Sequence, residues 1–502
     1  KGKNLMKIAL ALLFGTLLLS LSMVSATGSA QENDGFVATP CLFELPDDEV
    51  EGDSIDCGVI TVPESRTGLS DATIDLAVVI LYATGEETLA SMFYLAGGPG
   101  NSGTAAVEDY YDDPLRDSMN IIFLDQRGTG YSSPSLDCPE FDEEGETDEA
   151  TLDCYNRLVA SGITLDAYRT SENAADVNDV ISALDLDSVT LYGISYGTRL
   201  ALAVMKKPHP AIESVILDGV YPPDVHGYED DAPNIARVFN LIIESCADDS
   251  ACDEAYPDLK NALYEGYDSL NSDPIATTDE DGDEDEITGD SFMEALFQSF
   301  YDTDSIPDAP YLIYAAYNRD DEALEEFYSG DDSEAMSASR LLVMKQEPEN
   351  DGNSEGMFDN FECAVEIPFN RIDAITAAIK TLDMPAGWQE DAAEAGQEIL
   401  ELCDDWKVTP STPPLRQATV SDLPALIVNG EYDPVTPPAW AQHAAETLSN
   451  SSIFIIPAGG HGVIDMSDCT TDIEFQFLSD PTTELDGSCI DEMPPPDWYI
   501  EP

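Results

Sequence analysis

The stretch LYGISYGTRL, residues 191–200, sets Ser195 between Gly193 and Gly197. Two readings compete: a nucleophile raised on a strained strand-to-helix turn, or a glycine-rich bend that happens to hold a serine. At average glycine and serine frequencies the G-x-S-x-G spacing arises by chance roughly 0.2 times in about 500 positions, so the flanks decide. SVTLYG (188–193) is rich in β-branched and aromatic residues and suits a strand, whereas TRLALAVMKK (198–207) suits a helix. Strand, turn and helix are the context in which this pentapeptide exposes its serine. The glycines then have a steric reason, because side chains two positions to either side would strike neighbouring backbone. The helix N-terminus favours negative charge developing there, and the N–H of Tyr196 can point at an oxyanion.

Outward from this turn, CGVITVP (57–63) and TIDLAVVILYA (73–83) predict an opening β-hairpin. SMFYLA (91–96) and NIIFLD (120–125) each run into a glycine-bearing loop, ENAADVNDVISAL (172–184) is helical, and SVILDG (214–219) closes this half. Apolar strands alternating with helices predict an α/β fold with a mostly parallel sheet flanked by helices. Residues 222–415 differ, with helical stretches such as NIARVFNLIIESCA and DSFMEALFQSFY and the acidic tract TTDEDGDEDEITGD. PALIVNG (424–430) and SSIFIIPAGG (451–460) then resume the sheet pattern. A mainly helical block between two parts of one sheet reads as an inserted cap over 222–415, between core segments 31–221 and 416–502. In the acidic tract, a calcium loop aligned on Gly282 would need acids where Thr277 and Thr288 stand. The tract reads instead as an acidic hairpin tip or surface loop.

A nucleophilic serine needs a second oxyanion donor, a base, and an acid that fixes the base's tautomer. YLAGGPGNSG (94–103) carries four glycines just after an earlier strand, and the N–H of Gly98 is the candidate donor. The chain holds four histidines. His209, in KKPHP, precedes any later acid; His226 opens the cap; His443 lies in the helical run PAWAQHAAETL. His461, in AGGHGV, follows an apolar strand on a glycine-rich loop and is the candidate base. Asp433, in NGEYDPVTPP, stands before it at a strand end and is the candidate acid, with Asp218 in ILDGVYPP and Glu431 as alternatives.

The chain sets 101 Asp and Glu against 20 Lys and Arg, a formal charge of −81. Such a field repels nucleic acid and anionic membranes and makes a strongly solvated surface. A hydrophobic fraction of 43% still allows a sizeable core. Lys1, Lys3 and Lys7 precede the apolar run 8–24, and small residues follow, the order of a secretory signal over residues 1–30. Location outside the cytoplasm, secreted or periplasmic, without stable membrane insertion once the signal is cleaved, is therefore expected; an uncleaved N-terminal anchor is the alternative. Ten cysteines in an exported chain predict disulfides. Taken in chain order they pair as Cys41–Cys57, Cys138–Cys154, Cys246–Cys252, Cys363–Cys403 and Cys469–Cys489, one of about 945 connectivities. Scarce histidine and the lack of a C-x2-C pair argue against a metal site, and no cofactor is expected.

GGPGNSG (97–103), DQRGTGYS (125–132), GISYGTR (193–199), LDGVYPP (217–223), GEYDPVTPPAW (430–440) and GGHG (459–462) occur in that order. Together they resemble the proline iminopeptidase-like serine peptidases of the α/β-hydrolase fold, especially the exported tripeptidyl aminopeptidase branch with its TAP-like C-terminal region. The resemblance is weakest in the middle of the chain. It implies Ser195 as nucleophile, Asp433 as acid and His461 as base, with Gly98 and Tyr196 forming the oxyanion hole. It also implies short peptide substrates whose free N-terminal ammonium is held by cap carboxylates. In FECAVEIPF (361–369), Glu366, and after it Glu362, are the candidates for that task. Ala96 stands where the H-G-G-P-G form has its histidine, as in the tripeptidyl branch. A carboxylesterase of small esters would share the triad, and a non-catalytic binding module on the same fold is the third reading.

Overall fold

A strand buried on both faces reads as an unbroken apolar run, and the runs singled out above become the centre of one large sheet. The computed structural model describes residues 35–501 except 47, 86–89, 142–146, 279–283 and 330–352. The secretory-signal reading of residues 1–30 lies outside the described residues. Nine strands form the sheet: β1 (Val37–Thr39), β2 (Ile55–Pro63), β3 (Thr73–Leu81), β4 (Ser91–Leu95), β5 (Asn120–Leu124), β6 (Val189–Ile194), β7 (Ile212–Asp218), β10 (Ala425–Gly430) and β11 (Ser451–Ile456). Their spatial order is β1-β2-β3-β5-β4-β6-β7-β10-β11. The first three ladders, β1–β2, β2–β3 and β3–β5, are antiparallel. From β5 onward every neighbour is parallel.

Alternate residues feed two clusters on opposite faces. Ile122 and Leu124 of β5 and Ile427 of β10 pack with Val177 and Leu200. Ile121 and Phe123 of β5 and Leu426 and Val428 of β10 pack with Ile473 and Phe477. The helices α1 (Asp148–Ala160), α2 (Thr170–Ala183) and α3 (Tyr196–Met205) precede β7, and α4 (Gly227–Asp248) comes after it. α2 and α3 cover the first face, with Val177, Ile181, Leu200 and Val204 among its buried residues. The carboxyl ends of β4, β6, β7, β10 and β11 share one edge, where ligand sites of parallel sheets form.

The chain between β7 and β10 carries α4 and further helices, with a separate cluster around Phe239, Leu263, Phe292 and Leu312. Within it β8 (Ile275–Thr278) and β9 (Glu284–Ile287) pair antiparallel on either side of residues 279–283, the acidic tip read from the sequence, which lie outside the described residues. Thr288 caps the next helix, Gly289–Ser299, in a reciprocal capping box with Ser291. Five disulfides join Cys41–Cys57, Cys138–Cys154, Cys246–Cys252, Cys363–Cys403 and Cys469–Cys489. Among the described residues no helix is long and apolar enough to cross a membrane.

Candidate active site

Ser195 connects β6 to α3 with φ 54° and ψ −123°, a backbone conformation that L-residues rarely adopt. Its N–H donates to the carbonyl of Asp218 at 2.9 Å, and its own carbonyl accepts from the Thr198 N–H at 2.9 Å and the Thr198 hydroxyl at 2.6 Å. The flanking glycines are steric necessities. A Cβ on Gly193 would lie 2.5 Å from the Gly197 carbonyl oxygen, and one on Gly197 would lie 1.9 Å from that of Leu95. Backbone this close cannot yield as a flexible side chain can. Strain at one residue, enforced by its surroundings, is the mark of a functional turn.

The glycine-rich loop after β4 lies against this turn, since a Cβ on Gly97 would sit 3.7 Å from Ser195 Oγ. Gly98 adopts φ +97°, and a Cβ there would meet the N–H groups of Gly100 and Asn101 at 2.7 and 2.9 Å. Its N–H makes no hydrogen bond within the described residues. Tyr196 opens α3, so its N–H has no partner in the helix. The tyrosine ring is fixed elsewhere, edge-on to Phe361 at 4.9 Å, with its hydroxyl 3.2 Å from Thr170 Oγ1. Two neighbours hold the loop. The buried Asp125 carboxylate accepts from the Ser102 hydroxyl at 2.6 Å, the Thr104 N–H at 2.8 Å and the Tyr131 N–H at 2.8 Å. Gln126 donates to the Ala96 carbonyl and accepts from Asn173. Arg127, fully buried, chelates Asp176 through Nε and Nη2, both at 2.7 Å. Asp125 and Gln126 therefore anchor the loop, a role sequence reasoning did not assign to them.

Asp433 and His461 meet: His461 Nδ1 lies 2.9 Å from Asp433 Oδ2. The Asp433 carboxylate, fully buried, also accepts the N–H groups of Val435 and Thr436 and the Thr436 hydroxyl, at 2.8, 2.7 and 2.6 Å. Arg237 of α4 reaches over to donate to the carbonyls of Glu431 and Asp433, both at 2.7 Å. Desolvation pulls the His461 imidazole's pKa down, but the charge and hydrogen bond of Asp433, with Asp218 behind them, outweigh it and raise the value above 6.5. The His461 N–H donates to the Tyr301 carbonyl at 2.9 Å, and the two rings meet edge-on. Among the described residues no hydrogen bond joins His461 to Ser195.

Asp218, the alternative acid, does something else. Its carboxylate accepts the N–H of Val463 at 3.1 and 2.9 Å and that of Ile464 at 3.0 Å, while its carbonyl holds Ser195. One fully buried residue thus braces both the serine turn and the histidine loop. The other histidines are engaged at other places: His209 Nδ1 accepts from Ala211 N–H, His226 meets the Phe369 carbonyl, and His443 meets Asp224.

Glu366 is engaged by cations of the chain itself. Arg199 and Arg416 sit 3.0 and 2.6 Å from its Oε2, and Gly227 N–H and Asn370 Nδ2 donate to Oε1 at 2.9 and 3.0 Å. Three hydrogen-bond donors, Arg416, Gly227 and Asn370, and the nearby Arg199 charge occupy this buried carboxylate, and the arginines hold its pKa below the ordinary value despite burial. The Glu362 carboxylate, on a single π-type turn (Glu362–Glu366), accepts only the Tyr228 hydroxyl among the described residues, at 2.8 Å on Oε2. Burial and then the Glu366 charge push its carboxyl up to about 8, against the pull of Tyr228 and Arg199. For metals, Cys138, Glu140 and Cys154 converge, but the two sulfurs are bonded to each other and offer no thiolate.

Known proteins resemble this chain in sequence over most of its length. Residues 92–251 match the α/β hydrolase fold family, and residues 390–489 match the TAP-like protein family. The chain is 25% identical over 492 residues to Serine protease Hip1 of Mycobacterium tuberculosis, covering 90% of each. It is 29% identical over 182 residues to Putative hydrolase YuaR of Escherichia coli, covering 33% of this chain and 36% of that one. A bromoperoxidase structure from Bacillus anthracis is 15% identical, covering 84% of this chain and 99% of its own, with a TM-score of 0.38. On the sheet order, the two family matches in sequence and the relative matched over 90% of each chain, the protein is a serine hydrolase of the α/β-hydrolase fold whose residues 390–489 match the TAP-like protein family.

Proposed function

We propose that this chain is an exported serine peptidase that removes residues from the free N-terminus of short peptides. Ser195 attacks the scissile carbonyl while His461 takes its proton, and Asp433 stabilises the imidazolium that forms. The N–H groups of Gly98 and Tyr196 receive the oxyanion. The amine leaves with a proton from His461, and water, deprotonated by the same imidazole, releases the acyl group from Ser195. The observation that carries this reading is the 2.9 Å contact of His461 Nδ1 with Asp433 beside a serine at φ 54°. The name of the mycobacterial relative, a serine protease, supports peptides as the substrate class.

The amino-group ligand in this reading is Glu362, not Glu366. One of its oxygens is free of hydrogen bonds among the described residues, and an arriving ammonium would relieve the repulsion from Glu366. The insertion over 222–415 acts as the cap that admits slender chains, and five disulfides support folding in an oxidising compartment. Purified protein and Ser195→Ala, assayed on tripeptidyl, aminoacyl and prolyl amides, their N-blocked counterparts and p-nitrophenyl esters, test the proposal. Peptide amides are expected to be cleaved and N-blocking to cost about tenfold or more. Cleavage of esters alone would make the chain an esterase. Lack of labelling by a fluorophosphonate would leave a binding module.

A further inference from the structure

A cleft of about 600 Å³ runs between α2 and α3, away from the triad. Ala174, Ala203, Val204, Pro208, Val365 and Leu415 supply apolar walls. Arg66, Arg169, Arg199, Lys206 and Lys207 also line it, five of the chain's 20 Lys and Arg, with Asp179 as the lone lining acid. Where acids outnumber bases about five to one, such a gathering runs against the composition.

The carboxylates behind these cations do not cancel them. Arg66 meets Glu172, Asp176 and Asp179, Arg169 meets Asp166, and Arg199 meets Glu366. Yet Asp176 is shared with Arg127, and Glu366 with Arg416. Lys206 gives its ammonium to the carbonyls of Leu415 and Gln417, which satisfies its donors but leaves its charge. Lys207 forms no ion pair among the described residues. With Asp224 near Lys206 included, seven cations draw on six carboxylates, and Asp224 also meets His443. Desolvation and then Arg199 lower the Lys206 pKa against the opposing pull of Asp224. The Nε of Arg169 is buried without an acceptor. Lysines at the C-terminus of α3 suit the helix dipole, but that accounts neither for the arginines nor for the apolar walls.

We propose that this cleft is a second ligand site, which takes a carboxylate attached to an apolar body of oligopeptide size. Its volume lies within the ~300–1,000 Å³ of small-molecule sites. The walls gain by covering hydrocarbon, and the Lys206–Lys207 end gains a counter-charge. An N-capped peptide acid and a fatty acid share this chemistry. The floor of the site is α3, the helix whose first turn follows Ser195, so an occupant rests on the element that carries the nucleophile.

The test uses the full chain with Ser195→Ala, so that binding is read without turnover. Calorimetric titration compares N-acetyl-trileucine, its C-terminal amide and decanoate. The free acid is expected to bind at least about tenfold more tightly than the amide, and added NaCl to weaken it. Lys207→Glu, an exposed change, is expected to weaken the acid about tenfold while ester hydrolysis by the chain with Ser195 intact is unchanged. Tighter binding of the peptide acid than of decanoate assigns a peptide terminus, and the reverse order an acyl chain. Equal binding of acid and amide, no binding of either acid, or indifference to Lys207→Glu overturns the site.

Discussion

Ser195 keeps its unfavourable φ because β6, α3 and the Asp218 carbonyl over-determine it. The imidazole opposite acts as a base only when neutral. With its pKa raised above 6.5, kcat/KM is expected to fall as pH drops through a value higher than ordinary histidine shows. Asp433→Asn removes the charge that raises it, so the acidic limb should move to lower pH while kcat falls by about 10⁴. An unmoved limb in a pH–rate profile would rule out Asp433 as the partner. Asp218→Asn makes a finer test. Asparagine keeps one acceptor for Val463 and Ile464 but must turn a donor toward the other contacts. The expected loss in kcat is ~10- to 100-fold, from a slightly displaced histidine loop. The limb should again move to lower pH, because Asp218 also raises the His461 pKa. A role in packing alone would leave the limb in place.

Ser195, Asp433 and His461 could be singled out in the sequence because each follows a strand, in a fixed order, and the chain holds only four histidines; the structure brings Asp433 and His461 together. The contrast between Glu362 and Glu366 was not legible there. Among 101 acids nothing local separates Glu362 from Glu366. Their difference comes from Arg199 and Arg416, one before and one after them in the chain, which converge on one carboxylate only in the folded protein.

At the scale of elements, the strands were readable from their apolar runs, and the opening hairpin from its turn residues. The order β3-β5-β4-β6 was not, since crossing helices rather than strand composition decide which neighbours meet. The π-type turn at Glu362–Glu366 was equally hidden. Cys363–Cys403 ties this turn to the end of the helix Ala386–Glu401, closing a loop of 40 residues. Replacing both cysteines by serine should lower stability by about 2–4 kcal/mol in denaturant titration. It should also raise KM for peptides with a free N-terminus while leaving the kcat for small esters near its original value, because the turn carries Glu362 and not the triad. An equal loss on both substrates would mean that the disulfide serves the fold alone.

At the scale of the whole molecule, the charge of −81 and the buried acids act in the same direction. Burial and like-charge neighbours push Glu362 and Glu474 up to about 8, Asp218 to about 7 and Asp231 to about 6. Between the ordinary carboxyl range and these values, the folded chain holds protons that the unfolded chain has released. Stability therefore declines as pH rises through that window. His461, also raised, adds stability below its ordinary value that is lost as pH passes through its folded one. Well below pH 4.5 the sign reverses, because Glu366 and Glu49 are depressed by arginine partners and their protonation undoes those pairs. Surface repulsion among the remaining carboxylates has the same slope as the buried acids above pH 5, but salt screens it whereas burial shields the others. Melting temperature is thus expected to be higher at pH 5.5 than at pH 8, and to rise with NaCl at both. At high salt the gap between the two pH values should narrow without closing. A gap that vanishes would assign the whole pH effect to the surface, and a higher melting temperature at pH 8 would contradict the raised values of the buried acids.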